Sequence, residues 1–163
     1  MINGKRTLIN YKQMNLISLY TARATATGGR SGGTVVTDDG AFAARRELPP
    51  ELGGDAGKAE NALNPEQLFA CAWAASIADA INFATKQRNL ILRRIEVSAA
   101  VTFGQYENDG FGIRVEFAVR LPELPAAQAE QFVGEARAAC PYTKAFRGSE
   151  DLKITFALVT QSD

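Results

Sequence analysis

The chain predicts a single α+β domain, on three observations. Two stretches alternate apolar and polar residues with period two over about ten positions each, Ile95–Phe103 and Phe111–Leu121. A stretch from Asn64 to the Lys86–Asn89 region carries a helix start and almost continuous apolar character. Between and around them the order of signals is strand, strand, strand, helix, strand, strand, helix with a short continuation, strand, which is neither a strict βαβ alternation nor a bundle.

In chain order, Met1–Asn15 holds Lys5, Arg6 and Lys12 without an acid or a clear period, and is read as an N-terminal arm, leaving 16–163 as the domain. From Leu19 to Thr27, Tyr20, Ala22, Ala24 and Ala26 alternate with Thr21, Arg23, Thr25 and Thr27, the pattern of a half-buried strand. Gly28-Gly29-Arg30-Ser31-Gly32-Gly33 is a turn. Thr34–Thr37 is a second strand closed by Asp38-Asp39-Gly40, and Ala41–Leu48 a third stopped by Pro49-Pro50, giving a meander. Glu51–Ala62 reads as a surface loop.

Asn64 is a good N-cap, Pro65 suits the first helical position, and Gln67 can complete a capping box, so three neighbouring residues mark one helix start. Leu68, Phe69, Ala72, Trp73, Ala75, Ala80, Ile81 and Ala84 follow, interrupted after Ser76 only by Asp79 and Asn82 as clearly polar residues. A helix apolar on so many sides is enclosed by protein, and a second subunit is needed to complete the enclosure. Asn108-Asp109-Gly110 joins the two long strands as a hairpin. Pro125 opens a second helix whose stripe Ala129, Phe132, Val133, Ala136, Cys140 has helical spacing, so Cys140 faces the core. Pro141 stops that helix and can begin a short one through Phe146, which puts Cys140 near a helix N-terminus. The last strand, Lys153–Val159, turns Ile154, Phe156 and Leu158 inward.

Composition removes several function classes. Eighteen basic and eighteen acidic residues cancel, so the chain lacks the electrostatic footprint of a nucleic-acid or anionic-membrane binder. The longest apolar run, Leu68–Ala78, is shorter than the roughly 20 residues that span a bilayer. The first residues lack the apolar core of a secretory signal, so a cytoplasmic location is expected. The chain has no histidine, which argues against zinc sites and against Ser-His-Asp or Cys-His catalysis. Its two cysteines point to thiol chemistry or plain burial rather than to a structural disulfide.

Three separated motifs then converge. Tyr20-Thr21-Ala22 through Thr25-Ala26-Thr27-Gly28-Gly29-Arg30, Asn64-Pro65-Glu66-Gln67-Leu68-Phe69-Ala70, and Cys140-Pro141-Tyr142 followed by Arg147-Gly148 together resemble the organic hydroperoxide resistance branch of the OsmC/Ohr superfamily, over Leu19 to the C-terminus. The resemblance implies an intertwined homodimer with active sites at the subunit interface and no cofactor. It also implies thiol-dependent reduction of organic and fatty-acid hydroperoxides to alcohols, with a lipoylated protein or dihydrolipoamide as reductant. Position by position, it makes Arg30 the activator of the peroxidatic thiolate, Glu66 the carboxylate that holds Arg30, and Cys140 the resolving cysteine.

The peroxidatic position itself, ten residues after Glu66, is Ser76. A serine hydroxyl neither ionises near neutral pH nor enters the sulfenic-acid-to-disulfide sequence. Cys71 lies five residues earlier, about 140° around the helix axis from Ser76, and is expected to point elsewhere as a small buried residue. An Arg in a glycine-rich turn is commonly solvated and a Glu in a first helical turn is commonly a dipole partner; their joint occurrence in two motifs favours a functional pair. Trp73 is read as packing. Three readings stay open: a peroxidase switched off at Ser76, a one-cysteine peroxidase that uses Cys140, and a non-catalytic dimer that binds a small apolar or peroxide-like ligand.

Overall fold

A computed structural model describes residues 16–29, 32–55, 62–107, 110–149 and 153–159. The N-terminal arm, Arg30 and Ser31 of the glycine-rich turn, part of the loop before the central helix, and Asn108 and Asp109 of the hairpin lie outside the described residues. The element order is β1 (Ala24–Thr27), β2 (Gly33–Thr37), β3 (Ala43–Arg46), a 3-10 turn (Pro50–Leu52), β4 (Ala62–Leu63), α1 (Pro65–Lys86), β5 (Glu96–Gln105), β6 (Phe111–Arg120), α2 (Ala126–Ala139), α3 (Pro141–Ala145) and β7 (Lys153–Leu158). The α+β class and the order of the major elements match the sequence reading.

The strands form two sheets, β1-β2-β3-β4 and β5-β6-β7. The first is the expected meander with one addition, the two-residue β4 pairing parallel to β3. Its first strand is shorter than the alternation suggested. β2 offers only Gly33–Thr37 as a partner, so the ladder ends at Ala24↔Thr37 and residues 19–23 lie outside it. In the second sheet β5 and β6 pair antiparallel, and β7 joins β6 in parallel after the α2 crossover. Register stacks apolar residues in rows across the sheet: Val97, Val119 and Leu158; Ala99, Phe117 and Phe156; Val101, Val115 and Ile154.

Helix α1 packs on β5 and α2. Its start is the predicted one: the Asn64 side chain accepts from Gln67 N at 2.8 Å, and Gln67 Oε1 accepts from Asn64 N at 2.9 Å. A cap of this kind stabilises by about 1 kcal/mol. The helix ends where Asn89 takes a positive φ of 55° and the Leu90 amide bonds back to the Thr85 carbonyl at 3.1 Å. At 22 residues α1 has the length and apolarity of a membrane span. It also carries Asp79 and Asn82, and its inner face is engaged in the core.

Trp73, Ile77, Ala80, Ile81, Ala84 and Thr85 form the buried face of α1. Enclosure is one-sided within the single chain: Cys71, Ala72, Ala75 and Asp79 are exposed, and so is Phe83 at 61%. Among the described residues no element of the same chain covers Cys71, Ala72 and Ala75, the face for which the sequence calls on a second subunit. The α2 stripe is buried as read, with Ala129, Phe132, Val133, Ala136 and Cys140 all in the core.

Candidate functional site

Two local rules bring the site together. Cys140 ends α2, donating its amide to the Ala136 carbonyl at 2.8 Å, and Pro141 lacks the amide that would continue the helix. The residue before a proline is forced out of the helical region, and Cys140 has ψ 124°. The chain swings there and restarts as α3, with Lys144 N bonded to the Cys140 carbonyl at 3.0 Å. Cys140 thus caps α3 with its side chain turned toward α1.

Aromatic packing then seats α3 on α1. Trp73 is fully buried; its ring stacks on Phe146 at 5.2 Å and meets Phe69, Phe117 and Tyr142 at 5.1, 5.6 and 6.4 Å. Ser76 lies one helical turn beyond Trp73 on the same face. The result is a contact of 3.3 Å between Ser76 Oγ and Cys140 Sγ, in which either atom can donate. The predicted peroxidatic and resolving positions are thus neighbours, with Cys140 at 0% exposure and Ser76 half-buried.

Burial pushes the Cys140 thiol up, but the Ser76 hydroxyl, the Thr143 amide and hydroxyl, and the Tyr142 amide favour its thiolate and outweigh burial. The net value lies below the ordinary 9.0. The site therefore holds one buried thiol, its pKa lowered, beside an alcohol. Cys71 is exposed and is not part of this contact, in keeping with its expected direction around the helix.

Glu66 is placed elsewhere. It sits half-buried in the first turn of α1 and lines a cavity of about 300 Å³ with Arg46, Leu48, Leu52, Phe103 and Phe111; neither Ser76 nor Cys140 lines it. Ten helical residues separate Glu66 from Ser76, about 15 Å along the axis and about 280° around it. Within one chain, Glu66 cannot reach Ser76. Arg30 lies outside the described residues.

Arg46 was not singled out by sequence. It sits on β3 opposite Gly33, donates from Nη2 to the Gly29 carbonyl at 2.7 Å, and so ties down the start of the glycine-rich turn. A Cβ on Gly33 would lie 1.9 Å from the Thr27 carbonyl oxygen, so the closing strand also needs glycine at that position. Strand register was the only signal for Arg46, and it is not visible before the sheet is known.

The family model described as OsmC-like protein matches residues 56–155. An organic hydroperoxide resistance protein of Xanthomonas axonopodis pv. citri is 41% identical over 140 residues, covering 85% of this chain and 95% of that protein. Among solved structures, an organic hydroperoxide resistance protein from Legionella pneumophila is similar with a TM-score of 0.79 and 33% identity, over 88% of this chain and 100% of that one. A Vibrio cholerae structure, described as a putative organic hydroperoxide resistance protein with captopril bound in one of its active sites, is similar with a TM-score of 0.76 and 35% identity, over 88% and 95% of the two chains.

Proposed function

From the chain's membership of the OsmC-like family, in the branch of the organic hydroperoxide resistance proteins, we propose that it binds organic hydroperoxides at the Ser76–Cys140 junction, with the two-cysteine reduction cycle interrupted at Ser76. The observation that carries this reading is the 3.3 Å contact between Ser76 Oγ and Cys140 Sγ. A thiol in place of that hydroxyl would lie beside the resolving position. In the complete cycle the first thiolate attacks the distal peroxide oxygen; an S–O bond forms, the O–O bond breaks, and the alkoxide leaves and takes up a proton as the alcohol. Cys140 would then displace water from the sulfenic sulfur to close a disulfide, which a dithiol such as dihydrolipoamide or a lipoylated protein reopens. Ser76 cannot begin this sequence.

The same reading makes the protein a homodimer. The exposed side of α1 and the separation of Glu66 from Ser76 on one helix support it. A second copy would cover the former and supply Arg30 and Glu66 to the site, Arg30 steering the peroxide and Glu66 orienting Arg30. The captopril in the Vibrio cholerae relative supports an active site open to a small thiol.

The lowered thiol of Cys140 favours a second reading, a one-cysteine peroxidase. There the Cys140 thiolate takes the peroxide oxygen, becoming a sulfenic acid as the alcohol departs. One sulfur of a dithiol then forms a mixed disulfide with release of water, and the second frees Cys140.

Turnover of cumene hydroperoxide with dihydrolipoamide separates these readings. The first expects little turnover as the protein stands and a large gain on Ser76→Cys. Fast turnover that is abolished by Cys140→Ala establishes the second. An inert, folded Ser76→Cys variant overturns the first and leaves a ligand-binding role.

A further inference from the structure

The cavity of about 300 Å³ beside Glu66 is mainly apolar, walled by Leu48, Leu52, Phe103 and Phe111. Its size falls at the lower end of small-molecule sites, which run from roughly 300 to 1,000 Å³. Phe103 and Phe111 stack with their centroids 5.1 Å apart and make one aromatic wall, and Leu52 and Phe111 leave apolar surface exposed. The charged part of the lining is Arg46, Glu47 and Glu66. Glu47 is already held by Arg45 at 3.3 Å. Arg46 and Glu66 form no salt bridge, with each other or with any other described residue.

Strand β3 turns Arg46 inward. Ala44, two residues earlier and on the same face of the strand, is buried, whereas the Arg45 side chain between them is exposed. The Arg46 guanidinium is then accounted for nitrogen by nitrogen. Nη2 donates to the Gly29 carbonyl at 2.7 Å, which holds the group in place. Nε is buried without a partner. Nη1 is neither bonded to a described residue nor enclosed, so it is the edge that a ligand in the cavity can reach.

We propose that Arg46 is a ligand-holding residue: with Glu66 it grips the polar end of an uncharged organic hydroperoxide, or of the corresponding alcohol, while the apolar walls take the organic group. The class of ligand rests on the hydroperoxide reading; the choice of Arg46 rests on the cavity. One guanidinium and one carboxylate cancel, and Glu47 is neutralised by Arg45, so the described lining carries no net charge for an ion to match. A group with a donor and an acceptor on neighbouring or identical atoms fits between the two. Both –OOH and –OH accept an N–H from Arg46 and donate their own O–H to the Glu66 carboxylate. Each of those bonds has one ionised partner and is stronger for it. A hydrocarbon of the same shape makes neither, and a carboxylate gains Arg46 but meets the like charge of Glu66.

The test uses ligands that no thiol reduces. Calorimetry on the unmodified protein measures cumyl alcohol, cumene and 2-methyl-2-phenylpropanoate, which share one aryl group and differ at the polar end. Cumyl alcohol should bind about tenfold more tightly than cumene, the worth of a hydrogen bond to a charged group, and more tightly than the carboxylate. Leu52→Trp, at an exposed position, should fill the cavity and weaken all three. Arg46→Leu should bring the alcohol to the level of cumene. Because that change also releases the Gly29 carbonyl, Arg46→Gln is the second measure: it keeps an amide donor for Gly29 without the charge, and should cut the alcohol's advantage to about threefold. Equal affinity for alcohol and cumene, or none for either, overturns the proposal, as does a full advantage retained in either Arg46 variant. Undiminished binding in Leu52→Trp overturns the location, and tightest binding of the carboxylate overturns the uncharged class. No turnover is measured, so an inert Ser76→Cys variant refutes the hydroperoxide reading without touching these affinities, and lost affinities leave that turnover to be judged on its own.

Discussion

The Ser76 hydroxyl and the Cys140 sulfur lie 3.3 Å apart although 64 positions separate them in the chain. A sulfur at the hydroxyl's place would need to close only to the roughly 2.05 Å of a disulfide. Ser76→Cys in a Cys71→Ala background should therefore form an intramolecular disulfide on mild oxidation, seen by mass spectrometry as the loss of two hydrogens from the chain. Dimers linked by disulfide, with no cross-link inside the chain, would refute the geometry.

The Cys140 thiol should respond to its donors. Burial raises its pKa and the Ser76 hydroxyl lowers it, so Ser76→Ala should shift the thiolate titration upward. The sign for stability follows: a depressed folded value adds stability that is complete above the ordinary 9.0 and is lost as pH falls through the folded value. Thermal melts should therefore show stability rising toward pH 9.0, and Cys140→Ala should flatten that rise.

Trp73 tests the packing that seats the site. Its indole nitrogen is buried without a partner, so Trp73→Phe forfeits no hydrogen bond and should cost less than Trp73→Ala. The alanine variant removes the ring on which Phe146 stacks and should lose about 3–5 kcal/mol. It should also raise the Cys140 titration, because α3 is no longer held against Ser76. Equal denaturant midpoints for the two variants would contradict this.

The open side of α1 bears on assembly. Light scattering at micromolar concentration should give about twice the 17.5 kDa chain mass. Ala75→Glu, on the exposed stripe with Ala72 and Phe83, should shift the population toward monomer. A monomeric parent protein of ordinary stability would refute the proposed interface.

The elements most legible in the sequence were those fixed by local chemistry. Asn64, Pro65 and Gln67 announce the start of α1, and the stripe ending at Cys140 announces both α2 and its buried side. β1 was overextended because alternation records what a strand could bury, whereas its length depends on the partner it finds. The apolar character of α1 was visible, but a sequence does not say which face is covered by its own chain. Ser76 and Cys140 could be paired beforehand only through the motif resemblance. Arg46 and Thr143 gave no local signal: one acts through cross-strand register and the other through the packing of a five-residue helix.

The first sheet has a further consequence. β1 is exposed along its whole length, and none of β1 to β4 makes an extensive contact with the helices or the second sheet. During synthesis this sheet leaves the ribosome before the helices and the second sheet, so the surfaces of its own chain that could hold it are made later. Translation order and consolidation order therefore run opposite ways. In the proposed dimer this segment waits as a nascent stretch until a second finished copy is at hand.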